Sequence, residues 1–273
     1  MIPSMLSDLH AAATLRRQAA ARILTDHAGR ARATFAASYA AARPTPVVIP
    51  ARNEQYDLPA TLLALAHSIS PVIPIVVDNG SLDDTAGTAN RMGAHVIGAP
   101  TGTKMAATQA GLSYAAHRWP GAPILFTDAD TLALPTWASA MGAHLTRGHS
   151  AVFGTVLCWH GSSRRVDAIL SSVKLARSLI RAATGQTPVG RGANYGLRLD
   201  PDGTMAAALL ALDPDLFAGD DTAIRDALHR TGTRLTACFH RRASVLTRND
   251  RYHSLAARYG PGRHNAYQPG SVA

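Results

Sequence analysis

The chain has 273 residues, 47% apolar and 16% charged, with a formal net charge of +9. This composition excludes a disordered or collagen-like chain, and no apolar run reaches the ~18 residues of a membrane span. At ~150 residues per domain, the length suits one large domain or two small ones. Two widely separated cysteines, Cys158 and Cys238, make neither a disulfide framework nor a metal clip. The start, Met1 to Arg17, lacks a basic-then-apolar signal, so a soluble cytoplasmic protein with reduced thiols is expected. The charge sits at the ends. Residues 1–43 carry six Arg against two Asp and residues 240–273 six Arg against one Asp, while the middle sums to zero. Lysine occurs only at 104 and 174, and glutamate only at 54.

Residues 5–42, rich in Ala and Arg, predict one or two helices forming an N-terminal helical extension over residues 1–43. It reads either as a cap packed on the core or as a basic arm for an anionic membrane surface or partner. From Pro46 short apolar runs alternate with helical windows. Strands are predicted at Val47–Ile49, Ile73–Val77, His95–Gly98 and Pro123–Thr127. Helices are predicted from Asp57 to about Ser68, Asp83 to Met92, about Thr103 to Arg118, and after Pro135. This alternation predicts an α/β fold with a mostly parallel sheet covered on both faces, whose ligands bind beyond the carboxyl ends of the strands. After Ser150 the rhythm loosens. A strand at Ala151–Leu157, a long helix at Ser163–Thr184, a Gly-rich loop at Val189–Gly196, helices near 203–211 and 221–231, and strands near 234–238 and 244–247 are predicted. The main domain is expected over residues 44–258, with its nucleotide-binding half to about 150 and its acceptor half after, followed by an irregular tail at 259–273.

Four loops at predicted strand ends carry polar groups. They are Pro50-Ala51-Arg52-Asn53-Glu54, Asp78-Asn79-Gly80-Ser81 with Asp83-Asp84-Thr85, Gly102-Thr103-Lys104, and Asp128-Ala129-Asp130. One such loop is ordinary turn chemistry; four on one sheet edge make a site. Asp128 and Asp130, as alternating residues at a strand end, project the same way. They suit a hard divalent ion, Mg²⁺ or Mn²⁺, which takes carboxylate and phosphate oxygens together. Lys104 fits a point charge near a diphosphate, or a solvated helix-start lysine. Glu54 reads as a ligand contact or a helix-capping acid. Asp83 and Asp84 read as helix N-terminal residues. Asn194 reads as an acceptor contact or a turn residue.

These motifs in this order resemble the family 2 glycosyltransferases of GT-A fold over about residues 46–250. The matching pieces are Val47 to Glu54, Val77 to Thr85, Lys104 with Ala106, Ala107, Gly111 and Leu112, Asp128-Ala129-Asp130, Gly192-Ala193-Asn194, and Gly219-Asp220-Asp221-Thr222. Met105 departs from the family's second glycine, and Asn79 from its usual second aspartate. The resemblance implies a nucleotide diphosphate sugar donor, a UDP-sugar first, with other bases left open by Asn79. Pro50, Ala51, Glu54, Asp78, Asn79, Lys104, Asp128 and Ala129 would bind it, and Asp128 and Asp130 would hold the metal. Gly192, Ala193 and Asn194 would face the acceptor. Asp221 would be the base of an inverting transfer, with Asp220 beside it at the helix cap. A late histidine is sometimes a third metal ligand in GT-A enzymes, but His240 and His253 match no motif and are left out.

Three rivals stand beside this reading. They are a retaining transferase resembling glucosyl-phosphoglycerate synthases, a catalytically inactive nucleotide-sugar-binding protein, and a nucleotidyltransferase, whose Gly-rich basic first loop is missing. The acceptor is left open among small molecules, peptides and lipid-linked compounds. Peripheral membrane contact is also left open. Nucleic acid is not expected, because the basic ends carry no recognisable binding module.

Overall fold

A computed structural model describes residues 2–99, 102–146, 149–159, 171–173, 176, 179–180, 193–216 and 220–248. The expected α/β architecture is present, built on a seven-stranded and a three-stranded sheet.

The N-terminal segment is one helix, α1 (Ile2–Tyr39). Ala20, Ala31, Phe35 and Ser38 are buried and Ile23, Leu24 and Ala28 pack beside them, a helical stripe at three- and four-residue spacing. The stripe joins the core cluster that contains Val47, Leu58 and Val76. Its seat is close. The C-cap of α3 (Thr85–Met92), Gly93, has φ +86°, and a Cβ there would lie 2.7 Å from the Cα of Arg32. Arg32 also donates to the carbonyl of Asn90 at 2.6 Å.

The larger sheet runs β3 (His95–Gly98), β2 (Val72–Asp78), β1 (Thr45–Ala51), β4 (Ile124–Phe126), β8 (Tyr195–Leu197), β6 (Ala151–Gly154), β9 (Leu235–Cys238). All its strands run parallel except β8, which is antiparallel to both neighbours. Val47, Val48 and Ile49 are fully buried, as a central strand covered on both faces requires. Strand β1 contains Pro46 and Pro50, which cannot donate to a ladder; pairing with β4 is confined to Val47 and Val48 between them. Helices α2 (Leu58–Ala66) and α4 (Lys104–Arg118) pack against opposite clusters of the core.

The structure departs from the sequence reading in three strands. The single strand expected at Ala151–Leu157 is two, because the chain breaks at Thr155 and β7 (Val156–Trp159) joins the smaller sheet. Tyr195 and Gly196, read as the end of the Gly-rich loop, belong to strand β8 with Leu197. A short strand not foreseen, β5 (Thr131–Ala133), follows the Asp128–Asp130 turn and pairs antiparallel with β10 (Val245–Arg248). Helix α5 (Trp137–Thr146) follows β5; helices α6 (Thr204–Leu210) and α7 (Asp220–Arg230) complete the fold near where they were expected. Of the predicted helix at 163–184, the described residues 171–173, 176 and 179–180 are helical. The rest of that helix, Gly192, Gly219, Lys174, His253 and the tail lie outside the described residues. No described helix is long and apolar enough to cross a membrane.

Candidate active site

A cleft of about 440 Å³ opens at the carboxyl ends of β1, β2 and β4. Pro50, Ala51, Arg52, Glu54, Asn79, Lys104, Asp128, Ala129 and Asp130 line it. The structure therefore brings together eight sequence-predicted residues and one, Arg52, that was quoted only as part of a motif.

The first two loops are laced to each other. Asn53 donates its backbone N–H to Ser81 Oγ at 3.0 Å and accepts from Leu82 N–H at 2.8 Å. Gln55 repeats the pattern with Asp83 and Asp84, and Glu54 donates its backbone N–H to Thr85 Oγ1 at 2.8 Å. Asn53 reaches this geometry at φ +57°, a conformation asparagine tolerates better than most residues. Asp83 also accepts from the Thr85 N–H, so it works as framework at the start of α3. Asp78 accepts from the Ser81 N–H at 3.3 Å and lies outside the cleft lining. Asn79 is 5% exposed, lines the cleft, and its Oδ1 has no hydrogen-bond partner. A buried acceptor in that condition calls for a donor from a ligand.

Asp128 and Asp130 meet as expected, by a different route. They lie in the turn after β4, rather than on an extension of the strand. Two hydroxyls pin the turn: Thr61 of α2 donates to the Ala129 carbonyl at 2.7 Å, and Thr127 to the Ala193 carbonyl at 3.0 Å. Asp128 pairs with Lys104, Nζ to Oδ1 2.7 Å. Lys104 opens α4, whose N-cap Thr103 accepts from the Ala106 N–H. Asp130 is held from the other side. Thr247 Oγ1 lies 3.4 Å from its Oδ1, and the Arg248 N–H donates to its carbonyl at 3.3 Å. Burial and the charge of Asp128 push the Asp130 carboxyl up to about 6, against the opposing pull of Arg248 and Lys104.

Asp57 was not singled out by sequence. Its carboxylate accepts from Arg248 of β10 and, at 3.3 Å, from Arg16 of α1, so these two elements meet beside Asp130. Arg248 had no local signal, because only the β5–β10 pairing, with Thr131 opposite Thr247, brings it to Asp130.

The acceptor reading of Asn194 is corrected. Asn194 is 0% exposed. Its Oδ1 accepts from Trp137 Nε1, and its Nδ2 donates to the carbonyls of Thr155 and Ala243, each at 2.9 Å. A side chain so occupied has nothing to offer an acceptor; it ties α5, the β6–β7 break and the 3₁₀ turn at Arg241–Ala243 together. Ala193 is buried as well. Asp220 and Asp221 both stand in the first turn of α7, so Asp220 is a helical residue and not the cap. Asp221 is not among the residues that line the cleft. Residues ahead of α7 are tied to α4: Thr103 donates to the Pro214 carbonyl, and Gln109 of α4 to that of Leu212 at 2.8 Å. His240 Nδ1 accepts from the Arg242 N–H at 3.1 Å.

Among the described residues no group of three or more His, Cys, Asp or Glu side chains could hold a metal ion. Asp128 and Asp130 by themselves are an incomplete cage of hard oxygens. That suits a cation which completes its shell from phosphate and water. The donor set fits Mg²⁺ or Mn²⁺.

In an open, mostly parallel α/β sheet, ligands bind beyond the carboxyl ends of the strands, where this cleft lies. The sequence matches the model of glycosyl transferase family 2 over residues 47–204, and the chain belongs to that family. No curated protein matches the sequence. Among solved structures, S. aureus TarS 1-349 is 14% identical with a TM-score of 0.53, aligned over 76% of this chain and 60% of that one. The mannosyltransferase PcManGT from Pyrobaculum calidifontis, in complex with GDP-Man and Mn²⁺, is 17% identical with a TM-score of 0.52, over 83% of this chain and 67% of that one. Glucosyl-3-phosphoglycerate synthase from Mycobacterium tuberculosis, in complex with Mn²⁺, UDP and glucosyl-3-phosphoglycerate, is 20% identical with a TM-score of 0.50, over 85% and 79%. These likenesses establish the GT-A fold. The chain spans 60% of the length of TarS 1-349 and 37% of the longer TarS structure.

Proposed function

We propose that the protein transfers a sugar from a nucleotide diphosphate sugar to an acceptor hydroxyl, with the donor in the cleft between the first two loops and the Asp128–Asp130 turn. The observation that carries this reading is the meeting of Asn79, Lys104, Asp128 and Asp130 on one cleft. Asn79 Oδ1 suits the imide N–H of uracil, or the ring N–H of guanine. Pro50, Ala51 and Glu54 form the adjoining wall, and Ala129 lies between the acids. Lys104 supplies a point charge at a helix N-terminus, where a diphosphate is favoured. Asp128 and Asp130 would hold Mg²⁺ or Mn²⁺, which would offset the charge on the departing diphosphate. Solved structures of the same fold hold UDP, UDP-GlcNAc, or GDP-Man with Mn²⁺, which supports a donor of this class.

Asp221 is the candidate base for an inverting transfer, accepting the acceptor's proton. The reading rests on its place in the first turn of α7, reached by the loop that Thr103 and Gln109 tie to α4. The acceptor class stays among small molecules, peptides and lipid-linked compounds.

A thermal-shift panel of UDP, GDP and their sugars, with and without Mn²⁺, tests the donor. Stabilisation by one nucleotide that requires Mn²⁺ is expected, and a flat panel would refute the donor site. Proton NMR of early product tests the mechanism. Inversion at the anomeric carbon is expected, and retention would remove Asp221 as base.

A further inference from the structure

Asp128 and Asp130 face one cleft, yet only one of them is matched to the framework. Asp130 is gripped by the β5–β10 ladder and lies beside the buried Arg248–Asp57 pair. Asp128 takes its charge partner from a side chain that reaches it across the cleft. Lys104 and Asp128 are 39% and 28% exposed at their side chains, against 12% and 16% for Arg248 and Asp57. A part-exposed pair is held less firmly than a covered one.

We propose, resting on the donor-site reading above, that Lys104 is a tethered stand-in for the divalent cation. Before the donor arrives its ammonium neutralises Asp128. When nucleotide and metal enter, it leaves that carboxylate for the diphosphate. Three features serve this exchange. The backbone of Lys104 is fixed, through the Thr103 cap and the 2.9 Å bond from Thr108 Oγ1 to its carbonyl, so only the side chain need move. Its position at the start of α4 puts both destinations, carboxylate and helix-terminal anion, within one cleft. Its chemistry also matters: a compact ammonium lets go of a carboxylate that a guanidinium would clamp with two bonds. Elsewhere the chain uses arginine almost exclusively, with one further lysine at 174.

The exchange makes a prediction of opposite signs that a merely structural lysine would not. Affinity for Mn²⁺ alone is read from loss of the free-ion EPR signal, and affinity for UDP, with GDP as the second nucleotide, by calorimetry at saturating Mn²⁺. Lys104→Met should tighten Mn²⁺ alone about two- to fivefold, because a competing cation is gone. The same variant should weaken the nucleotide about tenfold or more, because a charged phosphate contact is lost. Lys104→Arg should weaken Mn²⁺ alone, by holding Asp128 harder. A wild type that binds neither nucleotide with Mn²⁺ would remove the donor site and this proposal with it. A wild type that binds, with Lys104→Met shifting both affinities the same way or neither, would overturn the exchange alone. Lys104→Gln gives the same readout should the methionine variant fold poorly.

Discussion

Two neighbouring turns of the large sheet carry similar polar residues and do opposite work. The turn after β4 presents Asp128 and Asp130 to an open cleft; the turn before β8, one strand away, buries Asn194 completely. They are bonded to each other through Thr127 and the Ala193 carbonyl. What separates them is cover. Over the first lies solvent and Lys104; over the second lie Trp137 and the carbonyls of Thr155 and Ala243. A polar residue at a strand end is thus a ligand or a strut according to what the rest of the chain places above it.

The largest expected effect falls on the strut. Asn194→Ala strands the Trp137 indole N–H and the Ala243 carbonyl in a buried space, while the Thr155 carbonyl keeps the Val245 N–H, at about 1–3 kcal/mol per unsatisfied group. A chemical denaturation midpoint should show a loss of at least about 2 kcal/mol. Folded protein should keep its nucleotide affinity. A large affinity loss with little change in stability would restore Asn194 to the ligand side.

Asp130→Asn should do the reverse. Turnover with the donor that the thermal-shift panel identifies should fall at least about 100-fold, with the fold preserved, because the carboxylate that helps hold the cation is lost. Full activity of the wild type in excess EDTA would separate the turn from any metal.

The same substitution has a smaller, pH-dependent signature without ligand. The Asp130 carboxyl is raised to about 6 in the folded protein from an ordinary 3.8, so the folded state holds its proton more tightly than the unfolded chain. Stability from this group is therefore present at low pH and lost as pH climbs from near 3.8 through about 6. Asparagine mimics the protonated form. The melting temperature of Asp130→Asn should rise relative to wild type across that window and hold its lead above it. Parallel curves would mean that the pair is already neutralised, by Lys104 and Arg248.

Smallest of all, Arg16→Gln should cost under about 1 kcal/mol by thermal melting, since it breaks a part-exposed pair and Asp57 keeps Arg248. Nucleotide affinity should stay within about twofold. A larger change would mean that α1 takes part in holding the site.

Much of the cleft was legible in sequence because its parts are local. Three of the four loops follow a buried apolar strand, and strand, loop and helix succeed one another within about 30 residues, the scale of one βαβ unit. Parallel pairing then brings successive strand ends to a single edge. Asp78 was misplaced only in detail, its side chain closing its own turn instead of facing the cleft. The stripe on α1 was visible too, at Ile23 and Leu24, though whether one helix or two would form was settled by packing of Ala31 and Phe35.

What sequence by itself determined, then, is the α/β order, the nucleotide-side loops and the two acids, all written in short-range pattern. Tertiary structure alone decided the rest. It inserted β8 antiparallel between β4 and β6, split the strand at Thr155, paired β5 with β10, and so set Arg248 and Asp57 beside Asp130 while sealing Asn194 away. Those contacts join residues far apart in the chain. Their closure depends on which surfaces pack, and no local periodicity records that.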